Sequence, residues 1–375
     1  MSNQVTRFDD IERVRGFACL MVLIHHIAWI SPIRFIHNVM PQYFLSGDTA
    51  VFVFFAISGF VVTLSLIGKI ENVNGDTFLQ RLADAKSMLT TFYRKRFFRI
   101  FPVLAVMLII VAIYMYCQSD TFEWLPLLLR APIEIIAGSF NYTIKVFEGQ
   151  HHIYRYALGP MWTLAIESQF YLVWPILLLV CKNNNTRSIM SLVAGCFVLF
   201  VMQPTCYAFF GFDYYTTYGT LPSLFLGSFF AFLYKESNEN NFNVKLANVI
   251  TATLLISLWF YSNTIQQTFF SRIVAHIFSV ILVVIATFVN GSFNIPILGK
   301  IFEYLGSRSY SIYVLQLVLA SFVRWYTESI YFPKSDFSEY DFYRIQLAIF
   351  FVIMFVTAEI VYRFVEKPFR KIGRR

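Results

Sequence analysis

Charge is scarce in this chain. Only 14% of its 375 residues are Asp, Glu, Lys or Arg, against a hydrophobic share of 57%, and its mean hydropathy is +0.60. A soluble globular domain carries about a quarter charged residues, so that class is excluded. Cysteine is sparse as well. Cys19, Cys117, Cys181, Cys196 and Cys206 show no CxxC spacing and sit in apolar surroundings. They read as buried thiols rather than metal ligands or a disulfide framework, with a Cys117–Cys206 bridge the one pairing left open. No GxSxG, P-loop, GxGxxG or HExxH occurs, which removes the usual soluble-enzyme readings. His151 and His152 lack Cys, Asp or Glu at ligand spacing, so no metal is expected; His37 and His276 receive no role. Internal repeats and low-complexity tracts are also missing.

Long apolar runs are what the chain does have. They predict an all-α, polytopic membrane bundle of about ten spans near 16–31, 49–68, 99–117, 161–181, 188–203, 218–234, 246–262, 272–290, 301–323 and 345–365. The first run follows Arg7, Arg13 and Arg15 but has no small-residue cleavage pattern, so it reads as a retained helix. Lysine and arginine gather, by more than two to one, on the side of the two termini. Positive-inside bias therefore puts both ends in the cytoplasm, and the chain reads as one membrane-embedded domain over 1–375. The net charge of +8 is explained the same way, by anionic lipid beside the spans rather than nucleic acid. Segment 124–140 is apolar but interrupted by Pro126, Arg130, Pro132 and Glu134, and is expected to be half-inserted or on the surface.

Ionisable groups at membrane depth are costly and usually face a bundle interior or cavity, so they direct the search for chemistry. Arg15 and His26 lie eleven residues apart in RGFACLMVLIHHIAWI; on a helix they fall within about 20° of one another, roughly 16 Å along the axis. His25 points elsewhere. Arg15 alone also suits a snorkelling anchor. In YRKRFFRIFP, Arg96 and Arg99 share a face at the start of the third span, with Pro102 early in the helix. Two planar guanidiniums fit a phosphate-bearing ligand, and equally a positive-inside anchor. Glu167, in WTLAIESQFYLVWP, is an acid in an apolar helix and calls for a His or Arg partner elsewhere. Ser58 and Gly59, in FFAISGF, permit close approach of a helix or a ligand, with packing the plainer role. Arg308, Tyr310, Tyr313 and Gln316 place polar groups in the ninth span, the tyrosines suiting an interfacial belt as well as a ligand.

Taken in order along the whole chain, these elements resemble the membrane-bound acyltransferase-3 family, multi-helix enzymes that O-acetylate bacterial surface glycans. Arg15 and His26 resemble its Arg-x10-His; Ser58, Gly59 and Phe60 its SGF element; Arg96 and Arg99 its RxxR. Trp162, Thr163, Leu164, Glu167, Phe170 and Tyr171 resemble its W-S/T-L-x-x-E-x-x-F-Y. Phe364, Glu366, Lys367, Pro368, Phe369 and Arg370 resemble its closing F-x-E-K-P-F-R. Many members continue SYxIYxx with His, where this chain has Gln316, and some carry a further SGNH domain, which is not expected here.

The resemblance implies a membrane O-acetyltransferase for lipopolysaccharide O-antigen or exopolysaccharide, with acetyl-CoA as donor. Arg15, Arg96 and Arg99 would hold its phosphates, His26 would be general base and Glu167 would orient it. Trp162, Tyr310 and Ser58 would line the substrate site, and no metal would take part. The partners so implied are membrane lipid, acetyl-CoA and a surface or lipid-linked glycan. A transporter or exporter of related fold is the rival, since intramembrane Arg, His and Glu also mark substrate pathways, although paired interrupted helices are not evident. A scaffold or sensor, in which buried polar groups only join helices, is the third class.

Overall fold

The computed structural model describes residues 9–30, 47–118, 124–147, 157–210, 216–237, 269–289, 291–295, 297–331 and 339–375. These are helical, with no strand among them. In chain order they form α1 (Asp9–Ile30), α2 (Gly47–Ile70), α3 (Phe78–Asp84), α4 (Lys86–Gln118), α5 (Leu125–Ala137), α6 (Phe140–Phe147) and α7 (Met161–Val180). There follow α8 (Asn184–Phe197), α9 (Gln203–Phe210), α10 (Leu221–Glu236), α11 (Phe269–Phe288), α12 (Leu298–Ser307), α13 (Ser309–Tyr326), α14 (Glu339–Val361) and α15 (Lys367–Ile372). Helices are the natural answer to the composition, because backbone N–H and C=O groups in hydrocarbon must be satisfied within their own segment.

Six stretches are long and apolar enough to cross a membrane: 49–70, 86–118, 161–180, 184–209, 271–288 and 341–372. The protein is therefore a multi-pass membrane protein, and these six coincide with six of the expected runs. The others fare differently. The run at 218–234 becomes the 16-residue α10, about 24 Å long, short of a ~30 Å hydrocarbon core. The run at 246–262 lies outside the described residues, as do His37, His151 and His152. The run at 301–323 is two helices rather than one, broken at Arg308, where φ −108° and ψ 4° leave the helical region. Hydropathy averages over this break because its cause is one charged residue seeking a carboxylate. Segment 124–140 folds as the 13-residue α5, too short to span. It ends at Gly138, whose φ of 78° is the left-handed cap that glycine adopts without strain. Pro102, expected early in its helix, lies well inside α4, which starts at Lys86. The helix runs out through the polar residues that end the apolar window, and Pro102 denies the Phe98 carbonyl its i+4 donor. All five cysteines are free; Cys19 is buried but Cys117 is exposed.

The described residues fall into two compact units. The first holds 1–22, 41–89 and 170–307. Its centre is the α2–α10 contact. A Cβ at Gly59 would collide with the Leu224 carbonyl, and one at Gly227 with the Ala56 carbonyl. The Ser228 hydroxyl lies 3.2 Å from the Gly59 carbonyl and 2.9 Å from that of Leu224. Small residues let backbones touch, which is how helices associate where lipid removes most of the hydrophobic drive. The same device joins α1 to α12, Gly16 against the Phe302 carbonyl and Gly306 against that of Glu12. Buried Asp10 accepts from Arg13 at 2.8 Å and from the Gly291 N–H at 2.6 Å. At the end of α7, Arg81 donates to the Cys181 carbonyl at 2.6 Å. Arg187, 2% exposed, donates to Leu178 and Cys181, both at 3.0 Å. Two guanidiniums thus cap carbonyls that have no helical partner.

The second unit holds 23–40, 90–169 and 308–375. Arg308 reaches Glu359 on α14 with Nε at 2.5 Å and Nη2 at 3.2 Å, and its guanidinium lies over the Tyr362 ring. Ser311 donates to buried Glu366 at 2.6 Å, and Gln346 to Thr327 at 2.7 Å.

Candidate functional site

The second unit assembles most of the residues singled out above. On α7, the Thr163 hydroxyl donates to the Pro160 carbonyl at 2.8 Å and meets the Tyr313 hydroxyl of α13 at 3.0 Å. Glu167, half-buried, stands one turn further along the same face of α7. Trp162, also half-buried, precedes Thr163. One turn beyond Tyr313, Gln316 is 1% exposed and donates through Nε2 to the Tyr313 carbonyl at 3.3 Å. Thr163, Tyr313 and Gln316 therefore form one connected polar set, and His26 belongs to the same unit. His25 and His26 have ring centroids 5.6 Å apart, tilted by 60°.

Tyr310, expected to line the substrate site, donates its hydroxyl to the Ile100 carbonyl at 2.8 Å. It thereby ties α13 to α4 one residue beyond Arg99. Arg96 and Arg99 are half-buried, and the Arg96 guanidinium lies 5.3 Å from the Phe92 ring centroid. The short α15 docks on this end of α4. Phe369 stacks on Phe98, with centroids 6.3 Å apart, and Gly373 leaves its Cβ direction 3.4 Å from Lys95 Cα. Lys371, Arg374 and Arg375 on one side and Arg94, Lys95, Arg96 and Arg99 on the other are brought together by that docking. The result is a concentrated cationic end suited to a multiply charged anion.

Two site candidates lie in the first unit. Arg15 pairs with Glu12 of its own helix at 2.8 Å. Ser58 is half-buried beside Gly59, at the α2–α10 contact.

Sequence reasoning passed over His276. In the first unit it is fully buried, with Nδ1 2.7 Å from the Ser223 hydroxyl and Nε2 3.1 Å from the Gly219 carbonyl. Gln203 Nε2 stands 3.2 Å away, and the ring stacks on Phe52 with centroids 3.9 Å apart. A carbonyl only accepts, so Nε2 carries the hydrogen and Nδ1 accepts from Ser223. The cost argument that singled out His26 applies equally to His276 and would have found it. The Arg308–Glu359 pair carried a signal too, an arginine within an apolar run, but its partner lies 51 residues away.

The family described as an acyltransferase domain matches residues 8–363. A Staphylococcus aureus (strain COL) protein named for O-acetyltransferase activity is 27% identical over 392 aligned positions, covering 97% of this chain and 57% of its own length. The peptidoglycan O-acetyltransferase OatA of Listeria monocytogenes is 24% identical, covering 97% of this chain and 56% of its own. The O-acetyltransferase OatA of Staphylococcus aureus (strain NCTC 8325) is also 24% identical, over 97% and 57%. The chain thus spans a little over half the length of the curated relatives it matches. No solved structure matches it.

Proposed function

The chain belongs to the acyltransferase-3 family, and from that premise we propose that it is a membrane O-acetyltransferase moving an acetyl group from acetyl-CoA to a hydroxyl of a cell-surface glycan. Peptidoglycan is the acceptor named for one relative; O-antigen and exopolysaccharide belong to the same chemical class of envelope sugar. The observation that carries the reading is the match of an acyltransferase domain to residues 8–363, with the polar set Thr163–Tyr313–Gln316 and His26 falling in one unit of the chain. A buried imidazole suits general base catalysis on a hydroxyl.

The division of labour follows from residue chemistry. Arg96 and Arg99, joined by the cations of α15, suit the phosphates of acetyl-CoA by charge-assisted contacts. The bound donor supplies an activated thioester carbonyl. His26 takes the proton of the attacking hydroxyl, and the Glu167 carboxylate stabilises the resulting imidazolium. Trp162 and Tyr310 are assigned to the substrate site, where an indole and a phenol suit the faces and hydroxyls of a sugar. We place the chain in a bacterial cytoplasmic membrane as one functional domain, with both termini and the cationic end on the inside, where acetyl-CoA is available.

The test is acetyl content, by mass spectrometry, of envelope glycans from cells expressing wild type, Arg99→Gln and His26→Ala at matched membrane levels. Loss of acetyl in both variants supports transfer and identifies the acceptor. Unchanged acetylation with altered glycan export overturns the reading in favour of a transporter.

A further inference from the structure

Two consecutive residues of α13 fasten two other elements of the second unit. Tyr310 donates its hydroxyl to the Ile100 carbonyl of α4 at 2.8 Å, and Ser311 donates to Glu366 Oε2, just before α15, at 2.6 Å. Glu366 is 3% exposed, and its Oε1 accepts from Arg370 of α15 at 3.3 Å. A carboxylate in such a place is costly unless paired, and its two partners lie on the two helices it joins. The chain enters α15 through a π-helical turn over Tyr362–Glu366, a local widening that recurs at functional sites. Beyond α15, buried Gly373 lies so close to α4 that a Cβ there would stand 2.9 Å from Phe98 Cβ and 3.4 Å from Lys95 Cα. Exposed Lys371, Arg374 and Arg375 are thereby carried to the turn of α4 that holds Arg94 and Lys95. Among the described residues, none of these five cations has a carboxylate partner.

Bringing like charges of two helices together costs energy that a multiply charged anion offsets, whereas a lipid anchor needs no second helix. The cations also stand in order along α4. Arg99 borders the apolar stretch that starts at Ile100, and Lys95 lies about 6 Å further out. A coenzyme A thioester carries its anions in an order too. Behind the acyl group comes the pantetheine arm, then the diphosphate, then the ribose with its 3′-phosphate. With the thioester directed into the helices, the 3′-phosphate lies outermost, beside the cations that follow Glu366. A phosphate monoester carries nearly two charges and three acceptor oxygens, which two guanidiniums and an ammonium meet together. We propose that Lys371, Arg374 and Arg375 bind the ribose 3′-phosphate of acetyl-CoA while Arg96 and Arg99 take its diphosphate, with Glu366 the positioning residue that holds the first group against α4. The inference rests on reading this end of α4 as the donor site.

The experiment is steady-state kinetics in phosphatidylcholine vesicles, with and without phosphatidylglycerol, using acetyl-CoA or its 3′-dephospho form as donor and a soluble glycan fragment as acceptor. Wild type is expected to show a KM about tenfold higher for the dephospho donor, the low end of what charge-assisted bonds to one phosphate contribute. In the Lys371→Gln/Arg374→Gln/Arg375→Gln variant, KM for acetyl-CoA should rise to meet that of the dephospho donor, with kcat within about twofold. Glu366→Met should likewise make the two donors equal, although every cation is still present. Glu366→Gln, which keeps one acceptor oxygen, should leave a ratio of about threefold. Arg99→Gln should raise KM for both donors and keep their ratio. Equal KM values in wild type, or an unchanged ratio in the triple variant, overturn the inference while the Arg99→Gln effect upholds the donor site. A loss seen only with phosphatidylglycerol, and equal for both donors, overturns it in favour of a lipid headgroup. A wild-type ratio in Glu366→Met overturns the positioning role; should that variant unfold, a wild-type ratio in folded Glu366→Gln does so. Unchanged KM values in Arg99→Gln overturn the donor-site reading itself, and the inference with it.

Discussion

His276 Nδ1 and the Ser223 hydroxyl meet at 2.7 Å with both residues completely buried. Around them, Gln203 and the Gly219 carbonyl close a polar knot that joins α10 and α11 to the segments before them. In hydrocarbon such groups have no water to fall back on, so removing one strands the others.

His276→Ala is accordingly expected to lower stability by about 2–4 kcal/mol, since the Ser223 hydroxyl and the Gly219 carbonyl both lose the ring as a partner. His276→Gln, which keeps an acceptor and a donor, should recover part of the loss. Thermal unfolding in detergent, followed by size-exclusion chromatography, measures both. A His276→Ala protein as stable as wild type would show that the knot does not hold the unit.

The α2–α10 contact makes a sharper comparison. In Gly227→Ala the new Cβ meets the Ala56 carbonyl, and the two helices must part, at a cost of about 3 kcal/mol or more. Gly68, on the same α2, has open space where a Cβ would go. Gly68→Ala should leave the unfolding midpoint unchanged or raise stability by up to about 1 kcal/mol. Equal effects at the two glycines would refute the backbone-contact account.

Arg308 and Glu359 are each less than a quarter exposed, and the arginine sits where α12 stops and α13 starts. Glu359→Gln should destabilise by about 2 kcal/mol, because the guanidinium keeps its charge and loses its carboxylate. The Arg308→Glu/Glu359→Arg double variant should regain some of that loss. A double-mutant cycle in denaturant gives the coupling, and a coupling of zero would assign the helix break to another cause.

On the donor side, Arg99→Gln is expected to raise KM for acetyl-CoA at least tenfold while leaving KM for the glycan alone. Arg99→Lys should fall between, since a point charge replaces a planar fork. Raising salt from 50 to 500 mM should weaken donor binding in wild type more than in Arg99→Gln. Equal salt sensitivity in the two would remove Arg99 from the phosphate site.

Apolar runs were easy to read, because hydropathy depends on local composition alone. It found the six helices now seen at spanning length, and it rejected 124–140 for the reasons that make α5 short. Where contacts between distant segments decide, local composition is blind. Arg308 breaks a run because of Glu359. Pro102 lies inside α4 because the helix continues through Lys86–Arg99, which are polar but perfectly helical. His26 and Glu167 stood out as candidates because charge at membrane depth is costly, and Arg96 and Arg99 because two guanidiniums share a helix face. Gln316 was visible as a polar group in an apolar run and as a departure from the family pattern, and the structure shows it buried and bonded to the Tyr313 carbonyl.

The two arginines at the end of α7 have a history as well as a place. As charges near span ends, Arg81 and Arg187 bias which way the neighbouring helices enter the bilayer. Once folded, their guanidiniums are withdrawn from lipid phosphate and given to the Leu178 and Cys181 carbonyls. Orientation asks only for positive charge, whereas the finished cap asks for a fork of donors. Lysine at position 187 should therefore insert the right way round and assemble poorly, so that biogenesis and maturation of this protein come apart at a single side chain.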